Sequence, residues 1–339
     1  MLISFLFPVH AEGLRVGTTF SPVQCGYLGQ DWKKTYIRVL GMGFDIVRLG
    51  AYWAYIEKAE GVYDFSDLDW QIKEAEKRGI PVILTVGMKA PRWPEYFIPG
   101  WALERASLRF GQDMSGNAFV KRRALMFIKE VVNRYGDRAI IECWQVENEP
   151  LDRSGPKYRW IGKRFLTNEV SLVRRLDRKK RPVVINMATY PNRFLRVLAR
   201  ITSLNSPLKD AVALCDILAI NVYPAIGYRL FRFETCFRTV KDERLAYFSE
   251  IVKYAKSHGK KVWVTEVQAE PWEPGVAVFK GPGDPVSVKP SDMKETFDEL
   301  ASLGIDTILL WGAEYWLYRN DTCKDPRWLT AARSILSRE

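Results

Sequence analysis

Two carboxylates close one short segment, WQVENEP at residues 144–150, where Glu147 and Glu149 flank Asn148 just beyond the β-prone run Ala139, Ile140, Ile141. A third ends another apolar run, KVWVTEVQ at 261–268, as Glu266. Carboxylates at strand tips are either solvated or used. Two that face each other can do what one cannot. One exchanges a proton with a leaving oxygen while the other attacks, or activates water, which is the chemistry of a glycosidic bond. Arg48, Trp53, Trp93, Asn148, Tyr223, Gln268, Trp272 and Trp311 fall on or just after the same strand tips. Flat aromatics suit sugar faces, and amides and arginine suit hydroxyls and carboxylates. Each has a plainer reading alone. A tryptophan near a strand end is usually packing, Arg48 could neutralise an acid in the core, and a lone glutamate is usually solvated. Two glutamates on the fourth and seventh strands of one series are harder to assign to chance.

The elements that must position them alternate along the chain. Strands are expected at 14–20, 45–52, 81–88, 139–148, 181–189, 216–224, 261–268 and 305–313. Amphipathic helices are expected between them, including 67–79, 119–136, 243–259 and 291–304, the last opening on Ser291 as its cap. Near-continuous Val/Ile/Leu strands, each followed by a helix, imply a parallel sheet covered by helices. Eight such units give an α/β fold, a single (β/α)8 TIM barrel spanning 14–339, rather than an open doubly wound sheet. GTTFSPVQCG after the first strand is no dinucleotide-binding loop. In such barrels the chemistry lies at the C-terminal strand ends, where these acids, amides and aromatics collect.

Composition narrows the function. Lys and Arg outnumber Asp and Glu by 51 to 40. The densest basic run, RRLDRKKR at 174–181, follows a helix C-terminus and reads as a solvated face, so no nucleic-acid partner is expected. No 18-residue apolar run exists to span a membrane. Two histidines, His10 and His258, and five cysteines without zinc spacing argue against a metal site and a Ser-His-Asp triad; no metal or cofactor is expected. Cys143 and Cys215 read as core, while Cys236 and Cys323 lie in loops and could pair. Residues 1–13 read as a leader or signal-peptide remnant, with VHA offering a cut after Ala11 but no positive n-region. A secreted or periplasmic location is the expectation, with a cytoplasmic one open.

WQVENEP and VWVTEVQ resemble the two signatures of the large clan of retaining (β/α)8 glycoside hydrolases, which includes β-galactosidases, β-glucosidases, cellulases and mannanases. WAYIEKAEGVYDFSDLD at 53–69 is similar to the W-x-x-I-E-P-x-x-G-x-Y-D-F segment of its β-galactosidase-like and cellulase-like members, with Lys58 in place of the proline. No histidine lies near strands four and six, where many members have one. The resemblance implies that Glu149 is the acid/base and Glu266 the nucleophile, with the two carboxyls about 5–5.5 Å apart as in retaining enzymes. It also implies that Tyr223 lies near the nucleophile and Trp311 beneath the reacting sugar. Arg48 and Tyr223 are expected to hold Glu266, and Asn148 to bond the sugar 2-hydroxyl. The expected substrate is an oligosaccharide or polysaccharide with β-glycosidic bonds. Glu147, which shares strand parity with Glu149, is a rival for the acid role. A sugar-binding barrel without turnover and a transglycosylase remain alternatives.

Overall fold

In the computed structural model, residues 13–192, 207–230, 232–276 and 278–337 are described. Residues 1–12 of the expected leader, with the expected cut after Ala11, lie outside them. The eight expected strands form β1 (Arg15–Thr19), β2 (Ile46–Gly50), β3 (Val82–Val86), β4 (Ile141–Val146), β5 (Val183–Ala188), β6 (Ile217–Val222), β9 (Lys261–Gln268) and β10 (Thr307–Trp311). All pair in parallel, and β1 lies between β2 and β10, which closes the sheet into a barrel. Closure at β1 is tight. A Cβ at Gly17 would come within 2.6 Å of the Ile46 side chain and 2.7 Å of its carbonyl oxygen.

Apolar side chains fill both sides of the sheet. Ile46, Ile83, Cys143, Val184, Ile217, Ala219, Trp263 and Leu309 form the cluster inside the barrel. Their strand neighbours, among them Val47, Leu84, Trp144, Ile185, Leu218 and Val264, join the helices in the outer layer. The outer helices include Ser66–Glu76, Ala118–Tyr135, Lys163–Leu176, Lys241–Ser257 and Pro290–Ala301. Among the described residues no helix is long and apolar enough to cross a membrane.

Three local expectations are corrected and one open pairing is decided. The helix expected to be capped by Ser291 begins a residue earlier at Pro290; Lys289 is its cap, and the Asp292 carboxylate accepts the Lys289 N–H at 2.9 Å. Residues 225–238, where no strand was expected, form a hairpin of β7 (Ala225–Leu230) and β8 (Phe233–Arg238) outside the barrel. Cys236 and Cys323, whose pairing the sequence leaves open, are both free thiols. Arg181 leaves the solvated basic face: its guanidinium donates to the carbonyls of Ile141, Gly136 and Arg138 and pairs with Asp177, fastening the base of β4.

Candidate active site

Glu266 sits at the barrel mouth because β9 is irregular. Trp263 belongs to the inner cluster, whereas Val264 and Val267 both belong to the outer one. Strict alternation would send Glu266 outward with Val264. The pairing shifts on both sides of β9, where Ile220 faces Val264 but Asn221 faces Glu266, and Ile308 faces Val264 but Leu310 faces Val267. The extra residue is a bulge that re-aims the glutamate inward. There one carboxylate oxygen accepts from Arg48 Nη2 at 2.6 Å and the other from the Tyr223 hydroxyl at 2.5 Å. Arg48 is fully buried, and it also donates to Thr19 Oγ1 (2.8 Å) and Gln145 Oε1 (3.1 Å), so its fork is fixed before it meets the glutamate.

Glu149 is held from the opposite side. Its Oε1 accepts from Asn221 Nδ2 at 2.7 Å, and Thr265 Oγ1 donates to the oxygen of the same amide at 2.7 Å, which fixes the amide's orientation. Asn221 is the ladder partner of Glu266, so one amide carries one carboxylate and stands beside the other. The Glu149 N–H donates to Asn186 Oδ1 (2.8 Å), and its carbonyl accepts from the buried Lys89 Nζ (2.6 Å). Asn148 Oδ1 accepts from Asn186 (2.9 Å), Gln145 (3.4 Å) and Arg48 (3.4 Å), which leaves its NH2 as the remaining donor. Burial first, then the charge of Glu266, push the Glu149 carboxyl well above the usual carboxylate range. Burial and the same two glutamates push the Tyr223 phenol up as well.

Glu147 does not reach the site. β4 ends at Val146, and both Glu147 (φ 61°) and Glu149 (φ 47°) adopt left-handed backbone, so the parity that paired them no longer applies. The Glu147 carboxylate turns under the tip of β3 and accepts the N–H groups of Met88 (2.8 Å) and Lys89 (2.5 Å).

The other expected residues divide. Trp53 is wholly buried outside the barrel, stacked on Phe127 at 5.7 Å with its N–H on Glu57, because residues 53–56 turn into a short helix. Gln268 is also diverted: its amide clamps Ala225, accepting from the N–H (3.1 Å) and donating to the carbonyl (2.7 Å). Trp272 is 45% exposed and packs its edge against Tyr223 at 5.3 Å, beside the Glu266 carboxylate. Trp93 is 47% exposed on the loop after β3, where its carbonyl accepts from Tyr27. Trp311 reaches the mouth, but one face carries the Arg92 guanidinium at 3.9 Å. Arg92 pairs in turn with Glu270 and lies 3.6 Å from Glu314, whose carboxyl burial raises to about 7.

Asn221 was expected at the end of its strand, but Gln145 and Lys89 were not singled out in the sequence. Their signal was available as a polar residue inside each of two otherwise apolar runs, CWQV and VGMKA. Among the described residues no group of three or more His, Cys, Asp or Glu side chains is arranged to hold a metal ion.

Comparison with known proteins agrees with this architecture. A glycoside hydrolase 42 family model, described as beta-galactosidase, matches residues 21–165, which include β2 through β4 and Glu149. Beta-galactosidase BgaA of Clostridium cellulovorans is 23% identical over 171 residues, 46% of this chain and 26% of that protein. The fold resembles the beta-galactosidase of Rahnella sp. R3 with a TM-score of 0.61 at 15% identity, covering 98% of this chain and 57% of that one. It resembles xylanase 10B of Thermotoga petrophila RKU-1 with a TM-score of 0.57 at 14% identity, covering 96% and 94%. The chain thus spans about a quarter of the curated relative it matches and little more than half of the Rahnella enzyme. The closed barrel is thus the fold of these enzymes, and over residues 21–165 the chain is similar to the glycoside hydrolase 42 family.

Proposed function

We propose that the protein is a retaining glycoside hydrolase acting on β-glycosidic bonds, with Glu266 as nucleophile and Glu149 as acid/base. One observation carries the reading. The two strand-tip glutamates are held in opposite ways, Glu266 by a guanidinium and a phenol and Glu149 by a neutral amide, with burial and its neighbour's charge pushing its carboxyl well above the usual range. Environments that separate two carboxyls in this way assign one as acid and the other as anion.

In the first step a Glu266 oxygen bonds to the anomeric carbon. The bond to the leaving oxygen breaks, its electron pair stays on that oxygen, and Glu149 delivers its proton there. Glu149 is then an anion beside an ester, so it takes a proton from water as the water oxygen displaces Glu266 from the anomeric carbon. The free NH2 of Asn148 is the group to hold the 2-hydroxyl, whose hydrogen bonds strengthen in the transition state.

The matched β-galactosidases make aryl β-galactosides the first substrates to try, with β-linked glucosides, xylosides, mannosides and polysaccharides following. A 2-deoxy-2-fluoro glycoside of the accepted sugar, carrying a good leaving group, is expected to trap the ester, and peptide mapping to find it on Glu266. Glu266→Ala with azide should yield the α-glycosyl azide, and Glu149→Ala the β product. Label on Glu149 or Glu147 would overturn the roles. Sugar binding without hydrolysis across the panel would favour a binding barrel, and transfer to added acceptor in place of hydrolysis a transglycosylase.

A further inference from the structure

Directly beneath the proposed acid/base lies an acidic pair that the reaction does not use. Glu147 and Glu169 are both fully buried, the second on the helix Lys163–Leu176 packed outside β4. Glu147 accepts two backbone N–H bonds, from Met88 and Lys89, as an anion would. Neither oxygen of Glu169 receives an N–H or O–H from any described residue; its partner is the Glu147 carboxyl. Two carboxyls buried against each other can bond only if one keeps a proton. The donors on Glu147 leave Glu169 as the holder. The groups around the pair are Lys89 at the end of β3 and Tyr96 in the loop after it, and the Tyr96 hydroxyl is itself buried without a partner. Burial and Glu147 push the Glu169 carboxyl well above the carboxylate range, while Glu147 rises only to about 6, held down chiefly by its bond to Glu169 and by the two N–H donors.

The site is built to receive this carboxyl. A Cβ at Gly87 would lie 2.3 Å from the Glu147 carboxyl carbon, and Gly87 has a φ of 131°. From there the β3 and β4 tips are fastened residue by residue. Glu147 N–H donates to Val86 (2.8 Å), Asn148 N–H to Lys89 (3.1 Å), and Lys89 Nζ to the Glu149 carbonyl (2.6 Å). We propose that Glu147 and Glu169 share one proton, and that this pair positions the backbone of Asn148 and Glu149, making Glu169 a positioning residue for the acid/base. The assignment rests on the glycosidase reading of Glu149; the shared proton does not.

The test therefore has two arms on the purified full chain. In the first, infrared difference spectra of wild type against Glu169→Gln at neutral pH should show a protonated-carboxyl C=O band that the substitution removes, because a glutamine NH2 donates to Glu147 in the proton's place. No such band in wild type overturns the shared proton. In the second, hydrolysis of aryl β-glycosides is compared across leaving groups. Glu169→Leu leaves Glu147 without its carboxyl partner and shifts Glu149, so glycosides with poor leaving groups, which need the acid, should slow by roughly tenfold or more beyond any change for dinitrophenyl glycosides. Glu169→Gln should stay near wild type on both. Equal losses across leaving groups, or a glutamine variant as impaired as the leucine one, would overturn the positioning role. Should Glu169→Leu not fold, the glutamine variant and the infrared band still decide. A wild-type chain that hydrolyses no glycoside would sink the glycosidase reading while leaving the infrared arm intact.

Discussion

At the scale of single residues, the site works by unequal treatment of two identical side chains. Glu266 receives a charged donor and a phenol, so on its proposed role as nucleophile removing one should reduce stabilisation of the carboxylate as it forms and leaves the ester. Tyr223→Phe should lower kcat on the order of a hundredfold with less change in KM, read from steady-state kinetics. In the proposed acid role Glu149 must be protonated, and its carboxyl is raised, so it keeps its proton to higher pH than an ordinary carboxylate. Activity should fall as pH rises through that raised value, which places the alkaline limb of kcat/KM above the usual carboxylate range. Glu266→Gln removes one of the two main causes, so direct titration of Glu149 in that inactive variant should find its pKa lowered. An unchanged value would show that burial alone sets it.

At the scale of elements, what positions the chemistry is irregularity rather than regular strand. The bulge in β9 turns Glu266 inward, and left-handed backbone at positions 147 and 149 sends two nearby glutamates in different directions. The hairpin β7–β8 is a third case. Gly227 donates its N–H to the Trp272 carbonyl at 2.8 Å, and a Cβ there would lie 2.4 Å from that oxygen and from the Pro274 nitrogen. The hairpin backbone thus braces the loop that carries half-exposed Trp272 against Tyr223. Gly227→Ala should push the two apart and raise KM several-fold while the barrel unfolds at nearly the wild-type temperature, since the hairpin lies outside the closed sheet. A large drop in melting temperature with KM unchanged would assign the contact to stability instead.

At the scale of the molecule, the two barrel ends have separate work. At the end remote from the glutamates, Arg15 meets Glu142 at 2.8 and 2.9 Å and covers Trp263 at 5.2 Å. Both charged side chains are about one-third exposed, so Glu142→Ala should cost no more than about 1 kcal/mol in urea unfolding and leave kcat unchanged. The same division explains what the sequence disclosed. All eight strands were legible because each is an apolar β-branched run, and the rim was legible because acids and amides interrupt those runs at their ends. Trp53 and Gln268 were misplaced because proximity to a strand tip does not say which way the chain turns next: one enters a helix, the other meets a hairpin absent from the expected elements. Glu147, the rival for the acid role, turns away for a related reason, since parity holds only while the strand continues. The Arg92 cover on Trp311 depends on a loop conformation that no periodicity encodes.

The left-handed backbone at Glu149 has an evolutionary consequence. A glutamate at φ 47° carries local strain of about 1 kcal/mol or more, and its carboxyl is desolvated beside a like charge. Asparagine tolerates that conformation far better and carries no charge. Glu149→Asn should therefore melt at a higher temperature than the wild type while losing acid catalysis. Selection for robustness alone would then discard this side chain, and on the proposed role it is selection for turnover that retains it.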